Sequence, residues 1–345
     1  MDNVPDTGEM NGAGRGASKA ARSVMSALFA FASAFGSAYL FGTGRFAAFA
    51  PAFFAAALVM TFIFSHRKGL LFSFVPFALG YFAVLLPGVD TVLALIAMSA
   101  VLFFSAVVGL LIIRRAEKFY VFLLSSALFF AVFSGILLLL LSDSTGSLTA
   151  AAERLSGASK TVISEMMRIA EQNGLSPGEV DVDALSAAVT ALVPAAIMII
   201  SMIASLLFTA LFGLAARIAG TRDLLLQGEF KVTRPFALIY ILVTLLSFMT
   251  GVIPDPWSYV ILNVDYVLMA IFFVVGIKSL FRSVKNRRGG GRLIVILIAA
   301  AAAAVFFGGT VASLLISILI PLLSYFGAFR SLRPAKDKGT EDNER

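Results

Sequence analysis

The sequence predicts an all-α polytopic membrane protein: a transmembrane bundle of about ten spans, with both termini inside and one amphipathic helical insert outside. The chain is 59% hydrophobic and only 14% charged, which falls outside the range of soluble domains. Its apolar runs have lengths near the roughly 20 residues that one crossing requires. When the segments between runs are alternated, all but four of the 27 Lys and Arg residues fall inside, as cytoplasmic loops require. The four exceptions are Arg45, Arg154, Lys160 and Arg168.

The apolar runs can be followed in order along the chain. Eight of them predict one span each: Val24–Leu40, Phe46–Phe64, Leu70–Leu86, Val92–Ile113, Phe119–Leu141, Leu192–Leu214, Pro235–Ile253 and Tyr259–Phe281. The last run, Leu293–Phe326, is longer than one crossing needs. We divide it at Gly308-Gly309 into two short spans, which returns the basic C-terminus to the inside. A single long crossing is the alternative.

These spans divide the chain into five segments. Residues 1–22 are polar and Gly-rich and predict a disordered cytoplasmic tail. A membrane half of five spans follows at 23–141, and a second half of five spans lies at 191–328. Between them, 142–190 predicts the extracytoplasmic insert, and 329–345 predicts a charged cytoplasmic tail.

The insert carries the pattern of an amphipathic helix. Apolar residues recur there at steps of three, four or seven, which places them on one helical face. They are Leu148, Ala152, Leu155, Val162, Met166 and Ile169. Asn173-Gly174 predicts a helix end, and Ser176-Pro177-Gly178-Glu179 reads as a capping box. A second helix is therefore expected to start there and to run into the sixth span.

Composition also excludes several kinds of chemistry. Without cysteine the chain has no disulfide, thiolate metal site or Cys nucleophile, and its one histidine, His66, lies in a basic turn. No nucleophile–base–acid set and no Gly-rich phosphate loop is present. The basic residues flank apolar spans, a pattern typical of attraction to anionic lipid headgroups and not of nucleic-acid binding. We therefore expect no enzyme activity, cofactor, metal site or nucleic-acid partner.

Two polar residues inside a predicted span are candidates for ligand contact. Asn263 and Asp265 lie one to two turns from the outer end of the eighth span. A charge in lipid costs at least about 2.5 kcal/mol, so its presence requires a reason. One interpretation is contact with a polar ligand or a cation near the outer mouth. The other is an interfacial pair that water or a neighbouring helix satisfies.

The first span carries a strip of small residues. Ala30, Ala34 and Ala38 recur every four residues and so lie on one helical face. Small residues allow a second helix to approach closely. The neighbour is either another helix of this bundle or a membrane protein partner.

The second half carries a distinctive order of features: a polar insert followed by Leu192-Val193-Pro194, the basic loop Phe230-Lys231-Val232-Thr233-Arg234-Pro235, and a span containing Asn263. In this order the chain resembles the YybS-like family of bacterial multi-pass membrane proteins. The end of the chain, Leu323 to Arg333, is similar to that family's Gly followed by an aromatic–basic stretch. Ala328 and Phe329 stand where family members often carry an acid.

This resemblance implies a further, more distant one. The YybS-like family is similar to the substrate-binding membrane components of energy-coupling-factor vitamin transporters. In those components a first-helix Ala-x-x-x-Ala pattern faces the shared coupling protein, and Ala30, Ala34 and Ala38 match it by position. Those components usually have about six spans and no large outer insert, so this chain departs from them in size.

Two function classes follow for a protein of the bacterial cytoplasmic membrane. The first is a transporter-type component that captures a small molecule, for which Asn263 and Asp265 are the ligand candidates. The second is a non-transporting interaction or assembly factor of the envelope that docks partners through the outer helices. The lipid bilayer is the partner common to both.

Overall fold

Helices make up all the regular structure of the described residues. The computed structural model describes residues 10–65, 78–141, 148–172, 181–219, 232–254, 256–285 and 310–333, together with 221, 224 and 226. Within these ranges the elements are α1 (Met10–Gly42), α2 (Phe46–Phe64), the 3₁₀ helix η1 (Gly80–Leu85), α3 (Thr91–Ile113), α4 (Lys118–Leu141), α5 (Leu148–Gln172), α6 (Val182–Ile218), α7 (Arg234–Ser247), α8 (Trp257–Lys285) and α9 (Thr310–Leu332). The all-α prediction is confirmed for this part of the chain.

Several of these helices have the length and apolarity of membrane spans. Five qualify within the described residues: Phe46–Phe64, Thr91–Ile113, Lys118–Leu141, Val182–Ile218 and Trp257–Phe281. Three shorter apolar helices accompany them, Ala27–Gly42, Arg234–Ser247 and Ser317–Leu332. Much of the predicted third and ninth spans lies outside the described residues, at 66–77 and 286–309. The total of ten spans and their orientation therefore stay predictions.

Two helix starts can be compared with those expected. Helix α1 already begins at Met10, within the predicted tail, because the alanines at 13, 17, 20 and 21 favour helix. Helix α6 begins at Val182 and runs for 37 residues, so one helix continues into the predicted sixth span, as expected. Its N-cap is Asp181, whose carboxylate accepts from the amides of Asp183 (2.9 Å) and Ala184 (3.1 Å). The predicted capping box at 176–179 lies outside the described residues.

The chain forms two compact units. Unit 1 contains residues up to 151 and 200–228, and unit 2 contains 152–199 and the residues from 229 onward. Helix α6 contributes 182–199 to unit 2 and 200–218 to unit 1. The insert helix α5 thus belongs almost entirely to the same unit as α7, α8 and α9.

Unit 1 is built around phenylalanine rings. Phe104 has its ring centroid 5.7 Å from that of Phe53, 4.8 Å from that of Phe129 and 5.3 Å from that of Phe208. These four rings come from α2, α3, α4 and the second part of α6, and all are buried. Aromatic pairs at such distances add to the packing energy of the helices that carry them.

Unit 2 depends on a close crossing of α8 and α9. A Cβ on Gly276 would overlap the carbonyl oxygen of Leu323, and a Cβ on Gly327 would lie 2.8 Å from the amide nitrogen of Gly276. The two backbones therefore touch at a pair of glycines, as small residues permit in membrane bundles. The crossing also brings the guanidinium of Arg330 to 3.1 Å from the carbonyl oxygen of Ser279, to which it donates.

We expect Gly276→Ala to destabilise the protein by roughly 1–3 kcal/mol, because the added methyl group meets rigid backbone. Gly135→Ala is the matched control, since no atom lies within 4 Å of the position of its Cβ. The measurement is the free energy of unfolding in detergent micelles. Equal stability of the two variants would contradict the close crossing.

Candidate functional site

A row of hydroxyl-bearing residues lies on one face of α7. Tyr240, Thr244 and Ser247 recur at steps of four and three, so they share a helical face. Opposite them lie Asp265 of α8 and Ser324 of α9, which are hydrogen-bonded to this row. We call these five residues the polar seam. All of them belong to unit 2.

Asp265 is the charged member of the polar seam. Thr244 Oγ1 donates to its Oδ1 over 2.7 Å, and Ser247 Oγ lies 3.0 Å from its Oδ2. Ser247 Oγ also lies 2.8 Å from the carbonyl oxygen of Thr244, so its single hydrogen is shared between two acceptors. Within the described residues, no Lys, Arg or His forms an ion pair with Asp265.

This environment compensates the carboxylate only in part. Hydrogen bonds to a charged group contribute about 1.5–3 kcal/mol each, and a charge in the membrane costs at least about 2.5 kcal/mol. Two hydroxyl donors leave two of the roughly four lone-pair sites of a carboxylate unused. Asp265 is half-buried, not enclosed. Its oxygens can therefore accept from one further donor or cation.

The other end of the polar seam is rigid and aromatic. The hydroxyl groups of Tyr240 and Ser324 lie 2.5 Å apart, and both residues are buried. The Tyr240 ring stacks on Phe272 at a centroid distance of 4.8 Å and on Tyr325 at 5.7 Å. This packing holds α7 against α8 and α9 and so positions Thr244 and Ser247 beside Asp265.

Asn263 lies two residues from Asp265 but contacts a different helix. Its Oδ1 accepts from the amide of Ala195 over 2.8 Å, and its Nδ2 donates to the carbonyl oxygens of Ala191 (2.7 Å) and Tyr259 (2.8 Å). Both of its N–H donors are used. The structure thus places Asn263 in contact with a neighbouring helix, and a ligand there would have to replace one of these bonds.

The position of the Asn263 contact on α6 is explained by Pro194. In a regular helix the amide of Ala195 would bond to the carbonyl of Ala191, four residues earlier. Pro194 lies inside α6, where a proline disturbs the ladder of backbone hydrogen bonds. The carboxamide of Asn263 bonds to both of these groups, as a neighbouring helix can do in a membrane protein. The sequence had singled out Asn263 but did not show this partner.

The Ala strip of α1 lies in unit 1, far along the chain from the polar seam. Ala30, Ala34 and Ala38 are each 0% exposed. A Cβ on Gly80 of η1 would lie 2.7 Å from the Cβ of Ala34, so η1 approaches α1 as closely as its glycine allows. The strip is covered by helices of this chain, and a partner protein would have to displace them to reach it.

Metal binding has no evident site in the described part of the chain. No group of three or more His, Cys, Asp or Glu side chains there could hold a metal ion. The chemistry that the polar seam offers is hydrogen bonding and charge, through Asp265 and the two hydroxyl groups beside it.

Five span-length helices, three shorter apolar helices and a charged residue held by hydroxyl groups inside a span define an integral, multi-pass membrane protein. The chain belongs to the family described as predicted membrane protein DUF2232, whose match covers residues 37–319. Neither the curated proteins nor the solved structures contain a significant match to the chain. The matched range includes α2 to α8 and therefore Asn263 and Asp265.

Proposed function

We propose that this protein is a transporter-type component that captures a small cationic or polar molecule at Asp265. The observation that carries the proposal is the carboxylate of Asp265 in a membrane span, where Thr244 and Ser247 are its hydrogen-bond partners. Ionisable residues inside membrane spans commonly mark substrate or ion pathways. The protein is proposed not to be an enzyme, since its sequence contains no catalytic set.

The ligand class follows from the groups that remain available. Asn263 has both donors occupied, whereas the oxygens of Asp265 can accept further hydrogen bonds. An ammonium group would supply both the opposite charge and the missing donors. We therefore place the ligand contact at Asp265 and assign Asn263 a role in holding α6 against α8.

We place the protein in the bacterial cytoplasmic membrane with both termini inside. The distribution of Lys and Arg supports this orientation, which puts α5 outside and the loop after α8 inside. Since the chain has no cysteine, Glu165→Cys and Arg288→Cys can be labelled singly in whole cells. An impermeant maleimide should modify only the Glu165→Cys protein. Modification of both or of neither would contradict the orientation.

The resemblance to the YybS-like family, and through it to the vitamin-binding membrane components, also supports a capture role. It does not extend to the proposed partner contact in the first span. Ala34 packs at η1 within unit 1, so this strip is not available to a coupling protein while these helices stay packed. A coupling protein, if the mechanism uses one, would bind elsewhere.

The second candidate function is that of an envelope interaction or assembly factor. It is favoured by the exposed apolar residues on the insert helix α5, among them Val162 and Met166. Under this function a partner protein covers these side chains. A spin label attached at position 166 should then remain exposed to water in vesicles that contain only this protein, because the partner that covers the position is absent.

The capture proposal predicts that Asp265→Asn abolishes ligand-induced stabilisation. The probe is a panel of small primary and quaternary amines added to purified protein, with the melting temperature as the readout. An amine at one hundred times its Kd should stabilise the wild-type protein by about 2.7 kcal/mol, and the variant by much less.

Asp90→Asn is the matched control, because Asp90 is an exposed N-cap of α3 and Asn caps equally well. This control should keep the full response. A panel without any effect on the wild-type protein, or a response that survives Asp265→Asn, would contradict the proposal.

A further inference from the structure

The insert helix α5 contacts the outer part of α6 through one narrow face. Ser186 Oγ donates to the carbonyl oxygen of Ser156 over 3.1 Å, and the hydroxyls of Thr190 and Ser159 lie 3.4 Å apart. Lys160 forms an ion pair with Asp183 at 2.6 Å. These polar contacts fall within about two turns of each helix, and the buried Ile163 lies on the same face of α5.

The apolar stripe of α5 lies elsewhere on the helix. Val162 is 58% exposed, Met166 is 66% exposed and Ile169 is 46% exposed. At about 100° per residue, this stripe is roughly a quarter turn round α5 from the face that contacts α6. Ile163 is buried, whereas Val162, Met166 and Ile169 stay exposed in the part of the chain that the structure describes.

The charged residues of α5 occupy the rest of its circumference. They are Glu153, Arg154, Lys160, Glu165, Arg168 and Glu171, so acids and bases balance. Arg168 binds Glu165 through two nitrogens, at 2.9 Å and 2.5 Å, and this bond lowers the pKa of the Glu165 carboxyl. Attraction to a charged surface is therefore weak on this helix, and only the stripe offers a driving force for association.

The depth of α5 follows from the length of α6. No charged residue lies between Asp183 and Arg217, a stretch that is roughly 50 Å long at 1.5 Å per residue. A bilayer has a hydrocarbon core of about 30 Å and measures about 40–45 Å with its headgroup layers. When this stretch is centred in the bilayer, Ser186 and Thr190 lie at headgroup depth. The helix that crosses them lies at the same depth.

We propose that α5 lies flat on the membrane surface from which α6 emerges, with Val162, Met166 and Ile169 inserted at the boundary between headgroups and acyl chains. Three observations support this placement: one face of α5 contacts α6, the apolar face a quarter turn away is exposed, and the charged residues occupy the remaining arc. Helices with a strong polar face and low overall hydrophobicity bind membranes in this way. The occupant of the stripe is the bilayer and not a protein.

Site-directed spin labelling of the whole protein in vesicles of phosphatidylcholine and phosphatidylglycerol tests this placement. Val162→Cys and Met166→Cys place a nitroxide on the stripe. Ser164→Cys is the matched control, because Ser164 is exposed and lies on the far side of α5. The readout is the accessibility of each nitroxide to oxygen, which concentrates in lipid, and to a water-soluble nickel complex.

We expect the labels at 162 and 166 to be accessible to oxygen and protected from nickel, with the reverse at 164. Raising the salt from about 0.1 M to about 1 M should not change this pattern, because the helix carries no net charge. The proposal would be overturned if the labels at 162 and 166 were as accessible to nickel as the label at 164. That result would favour the alternative that a partner protein, absent from the vesicles, covers the stripe. Protection from both reagents would overturn it as well, since it would show burial against protein, such as a second copy.

Discussion

The hydrogen bonds of Asn263 to α6 connect the helices that carry the candidate site. Lipid offers no donors or acceptors, so each backbone group inside the membrane needs a partner within the protein. Pro194 has no N–H, so the carbonyl of Thr190 loses its helical donor, and in the same disturbed turn the carboxamide of Asn263 bonds to the carbonyl of Ala191 and the amide of Ala195. The same carboxamide bonds to the carbonyl of Tyr259 in α8. A defect in one helix is thus the reason that two helices are held in a defined register.

That register determines where the carboxylate of Asp265 lies. Two residues beyond Asn263, the chain of α8 presents Asp265 to α7, where Thr244 and Ser247 donate to it. The contact of Gly276 with α9 and the Tyr240–Ser324 hydrogen bond hold the other end of this group of helices. The site combines an anchored amide, a partly compensated charge and a rigid aromatic wall. Of these, only the charge remains available to a ligand.

The sequence predicted the features that depend on local pattern. Apolar runs gave the span-length helices α2, α3 and α4 nearly to the residue, and the spacing of apolar residues located the insert helix α5. The hydroxyl row of α7 was missed, although Tyr240, Thr244 and Ser247 recur with helical spacing inside an apolar span. The steps of four and three residues were the available signal. A search for polar residues that share one helical face within a span would have found this row.

Features that depend on contacts between distant residues could not be predicted. Nothing local to Asn263 identifies α6 as its partner, because 68 positions separate it from Ala195. The burial of Ala34 against Gly80 likewise depends on how α1 and η1 meet, which apolar periodicity does not encode. The division of α6 between two units has the same origin, since one continuous helix packs on different neighbours along its length.

The most direct test is a double-mutant cycle between Asn263 and Pro194, read as free energies of unfolding in micelles. With Pro194 present, Asn263→Leu leaves two backbone groups unsatisfied and should cost roughly 1–3 kcal/mol. With Pro194→Ala, the turn can become regular, so that the amide of Ala195 can bond to the carbonyl of Ala191. The same substitution should then cost much less, and the coupling should exceed about 0.5 kcal/mol. Equal costs in the two backgrounds would show that Asn263 does not compensate for the proline, which contradicts the account.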